Sequence, residues 1–266
     1  NANSDARFGL GRDFLHGGGV AASPTFSAGL GLAGRKLFCV PGNHDKMFET
    51  QPARYLSAFN DLPAPPPYAV DEVVARSGQK FTFYGIDSNL YREGNIALGE
   101  ITDETRGWLK ARLDALPSPR TDGVVRVLLL HHHPVDLNPF RRWLSFERFQ
   151  GWAGKRFTLL QQSESLLETC RGKIDIILHG HEHFPVAFLD PASGCFVVSA
   201  GTATESQINS GHCNSFHTLA FHGQTFNVFQ FDWGFGGFTL TRQWEGSLSY
   251  PRSRLKPILK KKTCPK

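Results

Sequence analysis

Three short stretches hold the residues whose types and spacing could do chemistry. Gly42-Asn43-His44-Asp45 sets an amide, an imidazole and a carboxylate side by side on one turn. His131-His132-His133-Pro134 sets three imidazoles in a row, and His179-Gly180-His181-Glu182-His183 sets three more around a carboxylate. Neutral imidazole is the commonest metal-binding side chain, and an amide oxygen suits a hard ion. Histidine at two of these places and an Asn-His pair at the third therefore point to a metal centre, provided the fold brings them together. A polar turn of this length means little alone, so the elements that carry the three stretches decide.

Each stretch ends an apolar run. Residues 37–40, Leu-Phe-Cys-Val, read as a buried strand too short for a helix, stopped by Pro41 and Gly42. Residues 124–130 are a near-continuous hydrophobic strand leading into His131, and residues 174–178 are another leading into His179. In an α/β sheet, sites form beyond the carboxyl ends of the strands, where successive loops meet.

The elements between them follow the same logic. A helix is expected over residues 49–60, stopped by the proline-rich 62–67. A strand is expected over 80–87, with Asp87 at its end as a turn former or, alternatively, an extra site residue. Thr102 caps an amphipathic helix to residue 116, with Trp108, Leu109, Leu113 and Leu116 on one face. A second helix fits 163–170. From Cys195 onward the texture is strand, over 195–199, 216–222, 225–231 and 238–244, with Gly223-Gln224 as a hairpin turn. These read as a second sheet packed on the first. Residues 135–162 form a long aromatic and basic insertion that leaves the His131 loop directly, placed to act as a lid, a substrate wall or a satellite core.

Gly-Asn-His-Asp, then His-x-Pro, then Gly-His-x-His, in that order after strands, resembles the calcineurin-like metallophosphoesterases. The wording is most similar to the bacterial cyclic-nucleotide phosphodiesterase branch. The resemblance runs from about residue 37 to about residue 204, ending in the strand and loop 197–204. It implies a four-layer α/β/β/α sandwich of two mixed β-sheets flanked by helices. It also implies hydrolysis of a small phosphate-ester substrate, a diester before a protein phosphate, by a hydroxide activated between two divalent or trivalent transition metal ions such as Mn, Fe or Zn. Carried over position by position, Asn43, His132 and His181 look like ligands of one ion and His183 of the other. The alternate placing of His181 and His183, on an extended segment, would aim both at neighbouring ions. His44 looks like the acid that protonates the leaving group, and Asp45 would hold its ring in one tautomer. His131, His133 and His179 flank these positions and read as supporting or packed histidines.

Family members open with a strand ending in Asp-x-His and a second ending in Gly-Asp. Neither motif occurs before residue 42. The chain is therefore expected to lack the first one or two strands and three ligands, the bridging aspartate among them, with weak metal binding and little catalysis as it stands. The alternative is a degenerate, non-catalytic member serving as an interaction module. The His-x-His stretches of metallo-β-lactamase-like and amidohydrolase enzymes occur early in their chains, which argues against those classes here.

Composition narrows the setting. The chain has 266 residues, 40% hydrophobic and 20% charged, with 27 Gly and 16 Pro, which fits a loop-rich globular protein. Its net charge of +5 is local: residues 252–266 hold seven of the 29 basic residues and no acidic one. One domain is expected over 1–250, followed by a basic, disordered tail over 251–266. The body has no basic face of the kind a nucleic-acid-binding domain carries. No apolar run is long enough for a transmembrane segment. Five widely spaced cysteines without Cys-x-x-Cys favour a reducing compartment, hence a cytoplasmic location, over a disulfide framework.

Overall fold

The computed structural model describes residues 36–43, 65–75, 77–89, 98–117, 122–137, 159–202, 214–234, 237–249 and 252–259. The first sheet holds six strands. In chain order they are β1 (Tyr68–Val74), β2 (Lys80–Gly85), β3 (Val125–Leu129), β4 (Ile176–His179), β5 (Val186–Leu189) and β6 (Phe196–Ser199). Across the sheet the order is β1-β2-β3-β4-β6-β5. The four inner strands run parallel, with Phe83 beside Val127, Val127 beside Ile176 and Ile176 beside Phe196. β1 and β5 close the two edges antiparallel. The inner strands are apolar on both sides because both faces are covered, and β6 is buried along its whole length.

The second sheet comprises β7 (Ser215–His222), β8 (Thr225–Gly234), β9 (Gly237–Ser247) and β10 (Lys256–Leu259), all antiparallel in the order β10-β9-β8-β7. Between the sheets lie Phe81, Val127, Ile176, Phe196 and Val198 against Phe226 and Val228. Residues of opposite parity on the same strands, Tyr84, Leu128, Ile177 and Val197, face the helices α1 (Asp103–Asp114) and α2 (Ser163–Cys170). α1 begins as expected at Thr102, whose Oγ1 accepts the Thr105 N–H at 3.1 Å, and it buries Leu109 and Leu113. The expected mixed α/β architecture of two sheets with flanking helices is what the chain adopts. Both described helices lie on the first sheet.

Three expectations need correction. Residues 195–199 do not open the second sheet, because β6 is a buried parallel neighbour of β4 in the first. Residues 37–40 join no ladder. They are held instead by side chains, with Phe38 stacked on Phe83 at 4.3 Å and the Tyr68 hydroxyl donating to Cys39 O. The tail is not disordered over 252–259. Arg252 pairs with Asp175 deep in the molecule, and β10 adds an edge to the second sheet. Most of the aromatic insertion, and the helix expected over 49–60, lie outside the described residues. The insertion's two ends do meet, where His133 pairs with Leu159.

Candidate metal centre

The parallel register puts the ends of β2, β3 and β4 side by side, so the loops that follow them share one rim. Asn43 comes to that rim through the turn before it. Asn89, beyond β2, donates its side-chain Nδ2–H to Pro41 O at 2.6 Å, and Asn43 is itself buried. Its Oδ1 lies 2.9 Å from His131 Nε2, and His131 Nε2 lies 3.1 Å from His181 Nδ1. The His132 ring stands 4.3 Å from that of His181. One ligating atom each from His131, His132 and His181 falls within 4.8 Å of the others.

His131 Nε2 cannot satisfy both neighbours as a neutral nitrogen, which is either a donor or an acceptor. If it donates to Asn43 Oδ1, it has no lone pair for His181. If it accepts from His181 Nδ1–H, it has no hydrogen for Asn43. A shared cation removes the conflict, since all three atoms then turn lone pairs on it. Their spacing is close to the ~3.3 Å edge of a tetrahedron whose ligands stand about 2.0–2.1 Å from one ion. Electrostatics agree. Burial, with the nearby charge of His181 second, pushes His132 down to about 3, so its ring stays neutral and able to ligate. His132 Nε2 is buried without a hydrogen-bond partner among the described residues. The residues present therefore fit a metal, and three imidazoles with an amide suit a transition ion better than Mg or Ca.

The remaining expected positions fall out differently. His183 is exposed and outside this cluster. His44 and Asp45 lie outside the described residues. His133 Nε2 contacts Glu182 Oε1 at 3.5 Å, and burial pushes the adjacent His179 down to about 4. Asp87 closes its own turn by accepting from the Asn89 backbone N–H at 2.9 Å, the structural role expected of it. His131, expected to support, instead stands between Asn43 and His181. Three successive histidines offer no sequence signal for which of them faces the rim.

A family model, the calcineurin-like phosphoesterase, matches residues 13–185. The chain belongs to the calcineurin-like phosphoesterase family. Membership in it supports metal-dependent phosphoester hydrolysis in general. No curated protein matches the chain. Among solved structures, the NAD nucleotidase NadN of Haemophilus influenzae is 12% identical with a TM-score of 0.38. That match covers 95% of this chain but 41% of NadN, so the phosphoesterase chain spans under half of that protein. Vacuolar protein sorting 29 of Cryptosporidium parvum is 14% identical, with a TM-score of 0.27, over 62% of this chain and 97% of its own. A Vps29 double mutant of Entamoeba histolytica is 13% identical, with a TM-score of 0.24, over 50% and 86%. Among the described residues no helix is long and apolar enough to cross a membrane.

Proposed function

We propose that this phosphoesterase hydrolyses small phosphodiesters at a centre of two transition ions. Asn43, His131, His132 and His181 hold the first and His183 contributes to the second, with His44 as leaving-group acid and Asp45 holding its ring. The single observation behind this reading is the meeting of Asn43, His131 and His181, from three distant parts of the chain, around one nitrogen. When bound, the metal supplies Lewis acidity to the phosphoryl oxygens and makes hydroxide available at neutral pH. The protein's own part is to keep the imidazoles neutral by burial, to orient them from a rigid sheet rim, and to deliver a proton from His44 to the departing alkoxide. The buried thiols of Cys170 and Cys195, both free, support a cytoplasmic setting.

The test is hydrolysis of a generic aryl phosphodiester by the full-length protein with added Mn²⁺. The expected result is activity lost to chelator and lowered ~10²–10⁴-fold by His44→Ala. Hydrolysis indifferent to chelator would refute the reading. A metal-loaded protein without hydrolysis would favour the non-catalytic interaction module.

A further inference from the structure

The tripeptide Asp87-Ser88-Asn89, just beyond β2, touches both halves of the candidate metal centre. Toward the histidines, the wholly buried Ser88 Oγ accepts the backbone N–H groups of His131 at 3.2 Å and His132 at 3.1 Å. Toward the amide, Asn89 Nδ2–H donates to Pro41 O at 2.6 Å, two residues before Asn43. The second hydrogen on that nitrogen goes to Asp87 Oδ1 at 3.0 Å, and the same carboxylate oxygen accepts the Asn89 backbone N–H at 2.9 Å. These partners fix which way the amide faces. Turned over, it would set its carbonyl oxygen against two acceptors that have no hydrogen to offer it. Asp87 therefore locks the Asn89 side chain, which gives its other hydrogen to the turn. Upstream, Tyr68 reaches over Gly85, where a Cβ would lie 2.2 Å from Tyr68 Cζ, to donate to Cys39 O at 3.1 Å. Residues 37–40 join no ladder among the described residues, so an amide and a hydroxyl bond the alternate carbonyls that a neighbouring strand would otherwise take.

We propose that Asn89, locked by Asp87, is a positioning residue that holds Asn43 Oδ1 beside His131 for a shared ion, an inference that rests on the metal reading above. One tripeptide then holds the turn that carries the amide and the turn that carries the imidazoles. The 2.9 Å between Asn43 Oδ1 and His131 Nε2 is set through it. Without the Asn89 Nδ2–H, the amide turn loses its tie to the end of β2, while Ser88 still holds the histidine turn. The defect should therefore fall on Asn43 and leave the imidazoles in place.

A double-mutant cycle on Zn²⁺ affinity, read by competition with a chromophoric chelator, tests this on the full chain. Asn89→Ala is expected to weaken Zn²⁺ binding about 10–100-fold. In an Asn43→Ala background the same substitution should change affinity by less than about twofold, because the ligand it positions is gone. A residue that merely stabilised the fold would act alike in both backgrounds. Equal affinities in wild type and Asn89→Ala would overturn the positioning role alone, and so would losses that add across the cycle. Hydrogen exchange in the metal-free wild type needs no variant to fold. There the Asn89 side-chain amide should exchange at least about tenfold more slowly than that of exposed Gln224. Exchange at the Gln224 rate overturns the role too. A wild type that binds no Zn²⁺ overturns the metal reading with it.

Discussion

His181 occupies the left-handed region, with φ 74°, and His183 does so two residues on, with φ 54°. A side chain held there costs of order 1–3 kcal/mol, and such strain persists where a site needs it. His181→Gly should therefore act in opposite directions on stability and binding. The metal-free chain should gain about 1 kcal/mol in urea unfolding, while Zn²⁺ affinity falls by more than about 100-fold, beyond what a merely supporting residue costs. A variant that lost stability and kept its metal would contradict both the strain and the ligand role. The same dihedrals explain what sequence reading missed at this scale. Alternate residues share a side only on an extended segment, and a segment with two left-handed residues is not extended, so spacing alone said nothing about where His183 points. That His131 joins His132 in the cluster was likewise hidden, because a run of three histidines does not mark which of them its turn brings to the rim. That the three histidine-bearing or amide-bearing loops would meet was legible, because each ends an apolar run.

At the scale of elements, the inner strands β2, β3 and β4 and both helices were legible from their apolar runs and from the Thr102 cap. The edge strands β1, β5 and β10 were not, because an edge needs only one ladder and tolerates polar residues and proline, such as Pro257. The tail was misread for a related reason: charge content suggested solvent, whereas one arginine is buried. The Arg252 guanidinium pairs with Asp175 and donates Nη1–H bonds to Gly194 O at 2.6 Å and Ile174 O at 3.3 Å. Asp175 also accepts the Arg126 N–H at 2.7 Å, so the clasp joins the segment after β9 to the starts of β3, β4 and β6. Removing one partner of a buried pair leaves the other charge stranded. Arg252→Ala should thus cost about 3–5 kcal/mol in urea unfolding, with exposed Arg254→Ala changing stability by less than about 0.5 kcal/mol as the control. Equal, small losses from the two would mean that the clasp contributes nothing and that the segment is merely laid against the body.

Taken whole, the molecule is two cores back to back on one sheet, with polar chemistry gathered at one end. The inner face of the second sheet follows that division along a single strand. Phe226 and Val228 fill the space between the sheets, while Gln230 and Asp232, next in alternation, are equally buried and polar. Asp232 accepts from Gln230 Nε2 at 2.7 Å and from Thr241 Oγ1 at 2.9 Å. Across the β7–β8 ladder His217 lies opposite Gln230, with both ring nitrogens shut off from solvent. Burial pushes His217 down to about 4, against a smaller upward pull from Asp232. Unfolded, the same imidazole titrates near its ordinary value of about 6.5. Between these two values the unfolded chain takes up a proton that the folded chain refuses, so stability must fall as pH drops from about 6.5 to about 4 and level off below. The loss from this residue is on the order of 3 kcal/mol. His179 and His132, held neutral by burial in the same way, add to it in the same direction. Urea unfolding in the presence of chelator, repeated across that range for the wild type and for His217→Gln, separates the contributions. The variant should show a shallower decline, by close to the loss assigned to His217. Parallel curves for the two proteins would mean that His217 is protonated in the folded chain, stabilised by Asp232 after all, and that the acid sensitivity arises at the rim of the first sheet.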